Sequence, residues 1–154
     1  MAKEKSGILL VQRNKKAWFD YEILEKFEAG MVLLGSEVKS IRDGKVSIHE
    51  SYAKVRAGEV WVINLDISPY AHAGPLGHEP KRPRKLLLKT SEIQKIQGKT
   101  QEKGLTLIPL SLYFKEGYAK LELGLGRGKA KYDKRATMKK READREMRKR
   151  MMRR

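Results

Sequence analysis

The sequence predicts a mainly β domain with short helices, followed by a separable basic arm. Two stretches, residues 108–114 and 119–125, place apolar side chains at every second position, the period of a strand. Glycine-containing turns and short capped segments separate the other apolar runs. Residues 127–154 hold 14 Lys or Arg against 4 Asp or Glu, a net +10 of the chain's +16. A cationic arm of this kind suits a polyanion, because neutralised phosphates release condensed counterions. The plainer alternative is a solvated tail that aids solubility.

Residues 1–17 are basic and polar apart from residues 8–11, and read as a flexible lead-in. Residues 19–34 read as a long strand bent or bulged at Gly30. Ser36 then offers an N-cap, Val38 and Ile41 fall three apart, and Gly44 supplies a stop, which predicts a short helix. Residues 51–55 and 59–65 flank Arg56-Ala57-Gly58 as a hairpin. Residues 68–84 hold four of the five prolines and read as a loop with a basic exit. Ser91 with Gln94 suggests a capping box, and Gly98 ends a second short helix along Ile93 and Ile96. Ile108, Leu110, Leu112 and Phe114 should share one face, as should Ala119, Leu121, Leu123 and Leu125 beyond the Glu116-Gly117 turn. Antiparallel strands with a helix between them fit a small closed barrel of OB type over residues 18–131, since closure removes exposed edges. The basic tail occupies residues 132–154.

The chain has no cysteine, so disulfides and thiolate metal sites are excluded, and a reducing cytoplasm is compatible. No apolar run approaches the ~18 residues that span a bilayer. His49, His72 and His78 lack the i,i+4 spacing of a helical metal pair and read as ordinary surface residues. Gly124, Gly126 and Gly128 precede Lys129, but the Walker spacing fails and Ala130 stands where Ser or Thr is needed. These glycines are expected to let the last strand leave the barrel or let RNA approach the backbone. Glu22, Glu25 and Glu28 have no partner histidine or metal motif. The expectation is a non-enzyme with no metal and no cofactor.

From Asp133 the tail lacks Gly and Pro and has high helix propensity. Asp144 with Arg148 and Glu146 with Arg150 are acid-first i,i+4 pairs. Ala136, Ala143, Met147 and Met151 make only a narrow apolar stripe, and the Trp, Phe and Leu anchors of membrane-surface helices are missing. RNA is the better partner, with the arm ordering as phosphates cancel its self-repulsion.

Three segments, FEAGMVLLGSEVKSIRDGKV, SPYAHAGPLGHEPKRPRKLLL and GLTLIPLSLYFKEGYAKLELGLGRGKAKYDKR, stand in this order. From about Asn14 to Arg135 the chain closely resembles the small protein B family, the bacterial SsrA-binding proteins. The resemblance implies an OB-fold barrel that binds the transfer-RNA-like domain of transfer-messenger RNA and enters stalled ribosomes for trans-translation. It also implies a cytoplasmic protein, monomeric in its functional complex, whose C-terminal tail enters the messenger channel of the small subunit.

Carried over by motif, Glu28 of EAG, Leu87 of RKLLL and Lys120 of YAK match positions tied to transfer-messenger RNA binding. Lys39 and Arg42 of EVKSIR and Lys129 of GRGK follow from motif and charge, and Glu37, Arg84, Lys85 and Lys131 complete the expected RNA-binding set. Tyr132, Asp133, Lys134 and Arg135 match a junction segment linked to ribosomal function. Lys139, Lys140, Arg141, Arg145, Met147 and Arg148 are expected to face ribosomal RNA. Tyr132 stands where some relatives have histidine, which leaves base stacking as its role. Leu87 has a simpler reading as a core residue, and Glu28, being anionic, must accept from a base amino group or ribose hydroxyl or orient a nearby cation. The alternative function is a ribosome-associated OB-fold protein that binds other structured or single-stranded RNA. Single-strand binders need aromatic platforms, and most of the 11 aromatics here fall at core-like strand positions.

Overall fold

A computed structural model describes residues 4–5, 7–70, 78–101, 104–129 and 131–152, with backbone alone at 4–5, 131–137 and 150–152. The strands are β1 (Glu4–Lys5), β2 (Ile8–Arg13), β3 (Tyr21–Met31), β4 (Val46–Ser47), β5 (Tyr52–Arg56), β6 (Glu59–Ile63), β7 (Asp66–Ile67), β8 (Arg84–Leu87), β9 (Leu105–Lys115) and β10 (Tyr118–Gly128). The helices are α1 (Lys15–Asp20), α2 (Gly35–Arg42), α3 (Thr90–Thr100) and α4 (Lys131–Met152). Eight strands form a sheet ordered β1-β2-β9-β10-β3-β8-β6-β5, and β5 also meets β9 where Ala53 pairs with Leu107. A small β4–β7 sheet stands beside it. The fold is mainly β with short helices, as expected.

The amino-terminal residues depart from the flexible lead-in. Ile8–Arg13 pairs with β9, and Leu9 and Val11 pack against the main core. Asn14 then starts α1. Its side-chain oxygen accepts from the Ala17 amide at 3.2 Å, its amide nitrogen donates to the Pro109 carbonyl at 3.0 Å, and its backbone N–H donates to Leu110 at 2.8 Å. One buried residue thus caps the helix and fixes it to β9.

The β9 alternation breaks at one residue. Glu122 pairs with Ser111 and Leu123 with Pro109, so Leu110 is the extra residue of a β-bulge. The side-chain parity flips there. Leu105, Leu107, Leu112 and Phe114 line the main core with Leu121, Leu123 and Leu125, whereas Ile108 and Leu110 form a second cluster with Ala17 on the opposite face. The expected single face from Ile108 to Phe114 is therefore corrected, and the bulge also seats Pro109 in a strand interior. The β10 alternation holds as expected.

Gly124 serves this second cluster and offers no open backbone to a ligand. A Cβ there would lie 2.8 Å from Leu110 Cδ1 and 3.0 Å from its Cγ. Gly126 is similarly crowded by Tyr21 and Ile23. Gly124→Ala is expected to lower stability by about 1–3 kcal/mol through overpacking, read as a lower urea midpoint. Combining it with Leu110→Ala should give less than the sum of the single losses, because the two share one contact.

Other elements follow local chemistry, with three corrections. No bulge occurs at Gly30; β3 bulges at Leu24, between the Glu25–Leu125 and Ile23–Gly126 pairs. Leu34 takes the N-cap position of α2, its N–H donating to Glu37 Oε1 at 2.8 Å. Lys89 does the same for α3 through Glu92, and α3 continues past Gly98 to Thr100, so the Ser91–Gln94 box does not form. The β5–β6 hairpin turns as expected through Ala57 and Gly58, both at positive φ, which matches the twist of the strands. Helix α4 begins at Lys131, two residues before the Asp133 start that propensity suggests.

Candidate nucleic-acid interface

Gly30 is the hub of the site. Its register partners are Lys120 on β10 and Leu87 on β8, and Glu28 lies two residues earlier on the same outward face of β3. A Cβ at Gly30 would come 3.4 Å from Leu87 Cβ and 3.8 Å from Lys120 Nζ, so its absence lets both side chains close over the strand. Residues from three distant motifs therefore share one patch. Leu87 is 52% exposed beside the buried Leu86, which sets aside its core reading. Val32 and Leu34 are also exposed, so the patch offers aliphatic as well as charged surface.

Glu28 is held in place by Tyr113, which sequence reasoning missed. The nearly buried Tyr113 hydroxyl donates to Glu28 Oε2 at 2.5 Å, and Lys115 Nζ stands 3.4 Å from Oε1. The Tyr113 hydrogen bond pulls the Glu28 carboxyl below its ordinary pKa; desolvation opposes this, and Lys115 and Lys120 add to it. Burial pushes the Tyr113 hydroxyl up, and the Glu28 hydrogen bond and charge reinforce that. At neutral pH the pair is a fixed carboxylate with a phenol donor, and the remaining carboxylate lone pairs can accept from a base amino group or a ribose hydroxyl. The only sequence signal for Tyr113 was its odd position among the inward Leu112 and Phe114.

Two residues expected to touch RNA are instead inside. Glu37 and Arg84 have side chains with 0% exposure and pair at 2.5 Å. Glu37 also accepts from Arg82 and from the Leu34 amide, while Arg84 donates to the carbonyls of Leu65 and Pro80. Burial works against the Glu37 carboxylate, yet the Arg82, Leu34 and Arg84 hydrogen bonds hold its pKa below the ordinary value. Desolvation lowers the Arg84 pKa and Glu37 opposes that shift. Closed off from solvent, the pair ties α2 to β8 and supports the strand that carries Leu87. His78 is corrected likewise. It is buried, its Nε2–H donates to the Ile67 carbonyl at 2.9 Å, and its Nδ1 shares a hydrogen bond with the Ser36 hydroxyl at 2.9 Å. His49 is exposed as expected, and His72 lies outside the described residues.

The remaining cations do not all meet at the patch: Lys120 pairs with Gly30 at one end of the β10–β3 ladder, whereas Gly128, just before Lys129, pairs with Tyr21 at the other, beside α1. On α2, Lys39 lies 5.4 Å from the Tyr70 ring, and Arg42 sits 4.5 Å over Phe114. Lys85 pairs with Glu59 at 3.2 Å. Lys129 lies against α1, its N–H donating to Asp20 at 2.9 Å and its Nζ to Trp18 at 3.4 Å. Lys139, Lys140, Arg141, Arg145, Met147 and Arg148 are exposed on α4, with Arg141 5.9 Å above the Phe19 ring. The side chains of Lys131, Tyr132, Asp133, Lys134 and Arg135 lie outside the described residues. A groove of about 560 Å³ between α1, α4 and the sheet is lined by Trp18, Arg13, Lys15, Lys26, Arg141 and Glu122. Among the described residues no group of three His, Cys, Asp or Glu could hold a metal ion, and no helix is long and apolar enough to cross a membrane.

The family model described as SmpB protein matches residues 11–153. The chain belongs to the SmpB family. An SsrA-binding protein of Carboxydothermus hydrogenoformans is 56% identical over 140 residues, covering 91% of this chain and 94% of the relative. One from Syntrophobacter fumaroxidans is 58% identical over 138 residues, covering 90% of this chain and 86% of the relative. The fold is also similar to a chain from a solved structure described as "tmRNA-SmpB: a journey to the center of the bacterial ribosome", with a TM-score of 0.66 and 50% identity. That match covers 78% of this chain and 85% of the other. This SmpB family chain thus spans most of the length of its relatives.

Proposed function

We propose that this chain binds the transfer-RNA-like domain of transfer-messenger RNA and delivers it to stalled ribosomes for trans-translation. The observation that carries this reading is the meeting of Glu28, Leu87 and Lys120 around Gly30, supported by the SsrA-binding relatives. The patch combines a fixed acceptor, a cation and exposed aliphatic surface, which suits a folded RNA read by shape and 2′-hydroxyls. The strands β9-β10-β3-β8-β6-β5, returning to β9 through Ala53 and Leu107, act as an OB-like closed barrel. Barrel and tail divide the work: the body through Lys131 binds the RNA, and residues 132–154 act in the messenger channel against small-subunit ribosomal RNA. The protein works as a cytoplasmic monomer within that complex and binds RNA without catalysing a reaction. Pull-down of the full chain with sequencing of bound small RNA tests this. One dominant transfer-messenger RNA is expected, and a broad RNA mixture without it would overturn the reading.

Lys120→Ala should weaken RNA binding and flatten the dependence of log affinity on log salt by up to about one ion. Glu28→Ala should weaken binding without that flattening, since a carboxylate cancels no phosphate charge. Filter binding over a salt series separates the two. A flattened slope for Glu28→Ala with the fold intact would remove its role as acceptor.

A further inference from the structure

The outward face of the β5–β6–β8 strands carries an aromatic side chain with no role in the core. Val60 and Val62 are fully buried, so Glu59, Trp61 and Ile63 point outward. The cross-strand partners of Trp61 are both lysines: Lys54 on β5 and Lys85 on β8. Arg56 stands opposite Glu59 two pairs further on, on the same face, and Pro83 closes the rim of a shallow cavity of about 430 Å³ over the tryptophan. Three cations against one carboxylate thus surround an indole. Glu59 is already engaged with Lys85 at 3.2 Å.

This surface adjoins the RNA patch. Lys85 and Leu87 lie on the same outward side of β8, so Trp61 on β6 is two strands from Gly30 on β3, with only β8 between them. An indole flanked on both sides by ammonium groups is what a single nucleotide needs: a flat apolar ring for the base and cations for its phosphates.

We propose that an unpaired nucleotide of the bound RNA stacks on Trp61, with Lys54 and Lys85 on its phosphates, so that the interface extends across β8 and β6. The inference rests on the RNA-binding reading above. Charge complementarity and continuity with the Glu28–Leu87–Lys120 patch favour RNA over a protein partner. Trp61 acts here as a recognition residue outside the motifs that the family resemblance supplies.

The test titrates the full chain with the transfer-RNA-like domain of transfer-messenger RNA, following end-label anisotropy and tryptophan emission together. Wild type and Trp61→Phe are compared, since the chain has two tryptophans and their difference isolates Trp61. Binding should quench wild-type emission by a component missing from Trp61→Phe, and Trp61→Ala should weaken binding by roughly tenfold. Trp61→Phe should keep most of the affinity, because a smaller ring still stacks. Equal emission changes in wild type and Trp61→Phe at RNA saturation would overturn the proposal and leave the RNA reading standing. Absence of any anisotropy change with wild type would overturn the RNA reading itself, and this inference with it.

Discussion

Arg84→Ala is expected to destabilise the fold by about 3–5 kcal/mol, because it removes the fully buried one of the two guanidinium partners of the buried Glu37 carboxylate. Both side chains have 0% exposure, so solvent cannot replace the lost bonds without opening the α2–β8 junction. The same change strips the Leu65 and Pro80 carbonyls of a donor. Arg82→Ala should cost much less, since Arg82 is 29% exposed and Arg84 remains with Glu37. Urea unfolding of the three proteins gives the comparison, and an Arg84→Ala midpoint equal to wild type would mean that the pair is not closed off. The pH dependence has a fixed sign. Desolvation raises the Glu37 pKa and the Arg82, Leu34 and Arg84 bonds lower it more, so its folded value lies below its unfolded one. Its contribution is therefore complete above the ordinary carboxylate range and is lost as pH falls through the folded pKa. Glu37→Gln should flatten that acid limb.

How much of this was legible depends on the range of the interactions involved. The β10 alternation was readable because Leu121, Leu123 and Leu125 signal burial within five residues. The β9 alternation was not, because the residue that flips parity, Leu110, is as apolar as its neighbours and only pairing with β10 reveals it as extra. Strand β2 was missed for a related reason. Its apolar run is short, and its partner lies a hundred residues away. Arg84 sits in a run of surface-like cations, and nothing local distinguishes it from Arg82 or Lys85. Its burial is decided by Glu37, 47 residues earlier. The patch at Gly30 was legible only through family-like motifs, since no periodicity says that residues 28, 87 and 120 meet. Tyr113 lies within the third segment but was given no role there, and Trp61 lies outside all three; only strand register shows that they face away from the main core.

A chain ending after Lys131 is expected to keep its affinity for the transfer-RNA-like domain and to lose tagging on stalled ribosomes. The residues at Gly30 all precede the cut, and those at Trp61 do too. What is removed is most of α4, whose side chains from Met138 to Lys149 are exposed and bear most of the tail's cations. At about 1.5 Å per residue its 22 residues span about 33 Å, enough to lie along a groove walled by phosphates. Charge and helical shape can be separated within this arm. Ala143→Pro leaves every cation in place but removes a hydrogen bond and inserts a ring into the helix interior, which costs about 3 kcal/mol or more. Tagging in a reconstituted translation system should fall with Ala143→Pro while RNA affinity and the urea midpoint of the body stay unchanged. Wild-type tagging by that variant would mean that the arm acts through its charge without need of a continuous helix. Loss of RNA binding on truncation, with the sheet still folded, would instead put part of the RNA site on α4, where Arg141 already reaches the Phe19 ring of α1.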